Sequence, residues 1–277
     1  MIGGCRRPDC LNRGILVLDA DSVVFLLNGI VLFVCETYPG LREWDKRLPS
    51  IRSVLAEVLC IFRKCSLDGR LYMPERILRE ELDLVRPSRS VRKWLRGSYL
   101  GKLTKRHRMT LQRVLETFVT PLGVSNDEKE SLRQTFRPEV RPADRDSTVL
   151  LVACELGRSG RRTLVLAHDH GYERPIRQLR GNGRVELASG RVFPTTHLER
   201  RPYESFLLSM HESCCLDSDR FQALSTAFNE SQVARLVDTD ERRVKKLIAD
   251  SVLPFMAETR KSIRTKESWP CFPAWQT

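Results

Sequence analysis

The chain has 277 residues, of which 41% are hydrophobic and 30% charged. That is an ordinary globular balance, which excludes a disordered or membranous chain and allows one or two domains. Lys and Arg outnumber Asp and Glu by 47 to 35, a formal net charge of +12, so the expected partner is a polyanion, nucleic acid before an anionic membrane surface. The nine cysteines form no CxxC pair, which argues against a zinc ribbon or a thioredoxin-type site. With Cys35, Cys60 and Cys154 in apolar helical patterns, they suit a reducing cytoplasm.

In chain order, Ile15 to Leu18 reads as a short strand buried on both faces, as in parallel sheets. It is followed by Asp19 and Asp21, and Ser22 onward is helical. The apolar run from Ser22 to Cys35 is broken by Asn28 and Gly29 and is shorter than the roughly 20 residues of a membrane span. The acids before it stand where a signal peptide carries positive charge, so a buried core helix is expected. Pro49 to Lys64 has helical spacing. "RLYMP" (Arg70 to Pro74) is a second strand, followed by a helix in "ERILREELDLV". From Arg86 to Arg113 there are ten Lys or Arg and no acid, interleaved with Trp94, Tyr99 and His107.

Ser125-x-x-Glu128 is a capping box opening another helix. Asp144 and Asp146 precede "STVLLVACELG", a helix that Gly157 closes. "TLVLA" (Thr163 to Ala167) is a third buried strand ending in "HDHG", and "RVELA" (Arg184 to Ala188) is a fourth. Strands alternating with helices predict an α/β fold, a parallel β-sheet flanked by helices. Strand signals cease after about residue 200. In that last third, "SQVARLVDTDERRVKKLI" (residues 231–248) resembles a helix-turn-helix, with Ala234, Val237, Val244 and Leu247 at packing positions and Arg242, Lys245 and Lys246 outward. Asp238 stands at the turn position normally given to Gly, and an ordinary helical hairpin is the alternative.

The acids fall at element boundaries. Asp19 ends strand one, Glu80 and Glu81 follow strand two, Asp146 begins a helix, and Asp169 ends strand three. Carboxylates converging on one sheet edge do not all stay ionised without a cation. Hard oxygen donors suit Mg²⁺ or Mn²⁺, and the matching chemistry is phosphodiester hydrolysis on a basic surface. With those residues in place, the chain resembles the PIN-domain ribonucleases. The matching positions are Asp19-Ala20-Asp21 after the first strand, Glu81-Leu82 after the second, Asp146 with Ala153 seven positions on, and Asp169 after "LVLAH". The resemblance covers about residues 13 to 190. The chain departs from the family at Ala167, where Thr or Ser is usual, and in its long basic insert.

The resemblance implies a three-layer α/β/α PIN-like nuclease domain over residues 1–200 with a basic helical insert around 86–140, and a helical region over 201–277. It implies a cytoplasmic Mg²⁺- or Mn²⁺-dependent endoribonuclease, with Asp19, Glu81, Asp146 and Asp169 as catalytic and metal-binding residues. Asp21 is then a helix cap or a supporting group. Glu81 is favoured over Glu80 and Asp146 over Asp144 by register. His168 and His170 are either phosphate-polarising groups or solvated loop residues. Arg92, Lys93, Arg96, Lys105 and Arg106 are the expected nucleic-acid contacts. The expected partner is RNA. A homodimer and an inhibitory, antitoxin-like partner are left open, as are two alternatives: a non-catalytic nucleic-acid scaffold and a structure-specific DNA nuclease.

Overall fold

The computed structural model describes residues 14–37, 69–95, 98–212 and 216–236. Five parallel strands form one sheet: β1 (Ile15–Leu18), β2 (Leu71–Pro74), β3 (Thr120–Leu122), β4 (Thr163–Leu166) and, last in the chain, β7 (Leu198–Arg201). The order across the sheet is β3-β2-β1-β4-β7. A separate antiparallel pair joins β5 (Arg184–Glu186) to β6 (Val192–Pro194). The helices are α1 (Ala20–Thr37), α2 (Arg89–Leu95), α3 (Lys105–Phe118), α4 (Asn126–Gln134), α5 (Asp144–Leu156), α6 (Glu173–Asn182), α7 (Tyr203–Glu212) and α8 (Ser218–Leu236). They flank the sheet to give three layers, α/β/α. No helix among the described residues is long and apolar enough to cross a membrane.

β1 and β4 lie side by side, Ile15 opposite Thr163 and Leu18 opposite Leu166, and every residue of both strands is buried. Their contiguous apolar runs are what a strand covered on both faces requires. From β1 the chain moves outward to β2 and β3, then returns to β4 on the other side of β1. The strand order therefore reverses between β1 and β4, and in open α/β sheets ligands bind at the carboxyl ends of the strands at such a switch point.

Three expectations need correction. "ERILREELDLV" is not a regular helix. After Glu75 and Arg76 it winds into a π-helical turn, Ile77–Glu81, closed by the Leu82 amide on the Ile77 carbonyl at 2.9 Å. The Asp83 carboxylate then accepts from the Val85 and Arg86 amides, both at 2.8 Å, and draws the chain into a turn. Arg184 to Ala188 contributes its strand to the small hairpin, outside the main sheet. The described part of residues 231–248, Ser231 to Leu236, is the last stretch of α8; the remainder of that segment, like Pro49 to Lys64, lies outside the described residues. Ser125 does cap α4 through the Glu128 amide at 3.1 Å, but the Glu128 carboxylate pairs with Arg191 at 2.5 Å instead of completing a capping box.

The polar break in the apolar run of α1 also has a reason. α8 packs along α1, and a Cβ added at Gly29 would lie 2.5 Å from Leu224 Cδ2 and 2.9 Å from Leu224 Cα. Next to it, buried Asn28 donates to the Ala227 carbonyl (3.2 Å) and to Ser231 Oγ (2.6 Å), and accepts from the Leu100 amide (3.1 Å). One side chain thus joins α1, α8 and the segment before α3. Gly29→Ala gains about 1 kcal/mol of helix propensity, but overpacking against α8 costs typically 1–3 kcal/mol. The variant should melt at lower temperature, and its loss should be smaller when made in a Leu224→Ala background than in the wild type; a melting point raised by Gly29→Ala would refute this close approach.

Candidate functional site

Asp19 directly follows β1. Its amide donates to the Leu166 carbonyl of β4 at 3.0 Å, and its carbonyl accepts from the Val23 amide to begin α1. The side chain does not cap the helix in the usual way, which would engage the second or third helical amide. Its Oδ1 instead accepts from the adjacent Ala20 amide at 2.8 Å. Asp21, one step into α1 and only 4% exposed, reaches across the switch point. Its Oδ2 accepts from the His168 amide (3.0 Å) and the Asp169 amide (3.1 Å). The Ser22 hydroxyl lies 3.1 Å from its Oδ1 and 3.0 Å from the Leu166 carbonyl, one proton between two acceptors. Asp21 is therefore the clamp between the ends of β1 and β4.

Asp169 starts the short turn His170–Tyr172, its Oδ1 accepting from the Gly171 amide at 2.8 Å. Asp146 enters from the first turn of α5. A Cβ at Gly171 would sit 3.3 Å from Asp169 Oδ1 and 3.5 Å from Asp146 Oδ2, so the two carboxylates flank a residue with no side chain. Glu81, at the end of the π turn, is 14% exposed and pairs with Arg145 at 3.1 Å. π-helical turns recur at functional sites because they re-aim side chains.

The electrostatics follow from this crowding. Burial, then the neighbouring Asp21 and Asp146, hold the Asp19 carboxyl well above its usual range. Burial, then Asp169, pushes Asp146 up to about 6. Burial raises Glu81 too, against the pull of Arg145. The rejected neighbours differ. Glu80 is exposed and pairs with Arg76 at 3.0 Å. Asp144 is held below the usual carboxylate range by Lys129 at 2.6 Å, with Arg76 further off at 3.7 Å.

The structure thus groups Asp19, Glu81, Asp146 and Asp169 with Asp21, yet among the described residues no three of their side chains are disposed to close around a single ion. The donor set nevertheless fits a hard divalent cation: all are carboxylate oxygens, and Glu81 is the acid of the set that pairs with a base, Arg145. Mg²⁺ is commonly held by one or two carboxylates, with water and phosphate oxygens completing its octahedron.

Two participants carry no pattern in the sequence. Tyr172 is buried, with its hydroxyl against Asp19 and Asp146, which together with burial hold that phenol well above its usual range. The hydroxyl completes no hydrogen bond in good geometry. Arg200 donates to the His168 carbonyl and to Glu173, both at 2.7 Å. Its only sequence signal is a basic residue in a strand whose charges conceal it.

The histidines divide. His170 is exposed and pairs with Glu173 at 3.2 Å. His168 is not a solvated loop residue: it is buried, 3.1 Å from Glu204, with Phe25 and Phe228 around its ring. In the basic run, Arg92, Lys105 and Arg106 are exposed; Arg96 and the Lys93 side chain lie outside the described part. Tyr99 and His107 are not free to stack on bases. Tyr99 packs on the core beneath the Lys102 ammonium (4.8 Å), and His107 is buried in α3.

A pH dependence follows. With Asp146 near 6 in the fold against an ordinary 3.8, the folded chain binds that proton more tightly than the unfolded one between those values. This group's contribution to stability therefore falls as pH rises through that window and is regained on acidification. Melting temperature, corrected for the other groups by comparison with Asp146→Asn, should show this component between pH 4 and pH 7. Identical pH profiles for the two proteins would refute the raised carboxyl.

The chain matches no family model, no curated protein and no solved structure.

Proposed function

We propose that the chain is a divalent-metal-dependent endonuclease, acting on RNA in the cytoplasm, of the PIN type it resembles. The observation that carries this reading is the meeting of acids from four separate segments at the switch point, two of them, Asp19 and Asp146, with strongly raised carboxyls. Structural acids are normally paired with bases, as Asp144 is. Acids raised by neighbouring acids, as Asp19 and Asp146 are, cost stability and point to a site for positive charge.

Asp19 and Asp169 would hold Mg²⁺ or Mn²⁺, with Glu81 and Asp146 completing the set. Bound there, the ion would lower the pKa of a coordinated water and neutralise charge developing on phosphate oxygens. The chain's own residues supply the rest. Asp21 fixes the backbone of Asp169. Arg145 holds Glu81. Asp146, on the first turn of α5 with its Oδ2 beside Gly171, would face the attacking water or the ion. Water is the nucleophile, in line with the leaving oxygen. The exposed Arg92, Lys105 and Arg106 supply cations for the phosphate backbone.

A second reading, a non-catalytic nucleic-acid scaffold, is favoured by one observation: the side chains do not close into a three-carboxylate ion site among the described residues. A fluorescent RNA incubated with Mg²⁺ and then with EDTA separates the two readings, and branched DNA tested alongside separates an RNA nuclease from a structure-specific DNA nuclease. Asp19→Asn and Asp169→Asn should each lower cleavage by on the order of a hundredfold or more, and the double variant should be little worse than either single one. Mg²⁺ should also raise the melting temperature of the wild type, since binding to the folded state alone stabilises it, and should do so less for Asp19→Asn. RNA that is bound but never cut, with a melting point indifferent to Mg²⁺, would establish the scaffold instead.

A further inference from the structure

The acid centre divides the sheet between two basic regions. On the β2–β3 side, α3 carries exposed Lys105 and Arg106 and packs on β3. On the β4–β7 side, α6 packs against β7 and leaves an open groove of about 550 Å³. Its walls are Glu173, Arg177, Arg180 and Gly181, along one stripe of α6, facing Thr196 and Arg200. A Cβ at Gly181 would meet nothing within 4 Å, so the trough is unobstructed there.

The groove keeps net positive charge. Glu173, the acid in the lining, is already engaged by Arg200 (2.7 Å) and by His170 (3.2 Å). Arg177 and Arg180 are exposed and make no ion pair among the described residues. The Arg200 side chain is 6% exposed, and its Nε has no partner. The second cavity, of about 490 Å³ beside the π turn, differs: there Arg76 pairs with Glu80, Arg79 with Glu75, and Lys129 with Asp144.

The α6 groove also adjoins the acid centre. Arg200 holds the carbonyl of His168, the residue before Asp169, and Glu173 lies one helical turn beyond Asp169. A polyanion reaching five acids is repelled by them and needs cations on its path to offset that repulsion. We infer that the groove between α6 and the β6–β7 segment binds the phosphate backbone of a single-stranded polynucleotide, through Arg177 and Arg180, on the side of the carboxylates opposite α3. The choice of ligand rests on the nuclease reading; the groove's geometry and charge do not.

The test is binding of a fluorescein-labelled single-stranded RNA by anisotropy, in EDTA so that no cleavage intervenes, over a series of salt concentrations. Arg177→Ala/Arg180→Ala should weaken binding and flatten the log–log salt dependence by about 0.7 per lost phosphate contact, hence by roughly 1.4. Arg177→Lys/Arg180→Lys should keep most of the slope. Single-stranded DNA of the same sequence should lose as much, because phosphates and not 2′-hydroxyls are held. An unchanged slope, or a loss confined to RNA, overturns the assignment. Wild type that cuts RNA while the alanine variant keeps its slope sinks the groove and spares the nuclease. A flattened slope with no cleavage by wild type in Mg²⁺ sinks the nuclease and spares the groove. Wild type that binds no RNA sinks both.

Discussion

The Asp21 carboxylate is the contact on which the centre depends. Hydrogen-bonded to the His168 and Asp169 amides, it ties the start of α1 to the loop after β4, two segments almost 150 residues apart in sequence. A carboxylate buried without partners costs several kcal/mol. Here two amides and the Ser22 hydroxyl satisfy it. The reverse also holds: without Asp21, the buried His168 amide loses its acceptor, at roughly 1–3 kcal/mol, and the part-buried Asp169 amide loses its own. The clamp adds charge as well as order, since Asp21 is among the groups that raise Asp19 and Asp146. The side chain that positions the last acid therefore also raises the carboxyls beside it.

The loop is held from its other side by Arg200, whose guanidinium takes the His168 carbonyl while Asp21 takes the His168 amide. Opposite charges thus grip the two polar groups of one residue. Its imidazole is anchored separately to Glu204, within a box of Phe25, Tyr203 and Phe228. That box draws on α1, α7 and α8, so the C-terminal helices up to Leu236 share the core that supports the acids. The scaffold fixes the backbone of this loop from two sides, while Asp19 and Asp169 each receive one amide from their own turn. The acids are left with repulsive neighbours and access to solvent, an arrangement that sacrifices stability at a site.

How much of this is legible in the sequence depends on burial. β1 and β4 are central and covered on both faces, so contiguous apolar runs betray them. β3 and β7 are edges. "TPL" carries a proline, tolerated where one side of the strand has no partner, and "LERR" is charged, as edges commonly are; both erase the strand pattern. The acids at strand ends are readable because an acid closing an apolar run is conspicuous. The choices of Glu81 and Asp146 coincide with the two acids that face the cluster, while Glu80 and Asp144 are spent on Arg76 and Lys129. The π turn is hidden, because its extra residue arises from the Leu82–Ile77 bond and the Asp83 turn. Tyr172 and Arg200 are hidden as well, since nothing in their neighbourhood marks long-range contact.

Ala167 sharpens the point. In the family the chain resembles, a hydroxyl usually occupies that position, and its absence here raises the question of what orders the last acid. Ala167 is fully buried, with its amide on the Arg201 carbonyl at 3.2 Å, and it offers Asp169 nothing. The ordering comes instead from the Asp21 clamp on one side and Arg200 on the other. A carboxylate oxygen can accept from two amides at once, as Asp21 Oδ2 does, and Asp21 also stands beside Asp19, whose carboxyl it helps to raise. The departure at Ala167 therefore leaves Asp169 ordered, through the contacts that Asp21 and Arg200 make to the backbone of His168 and Asp169.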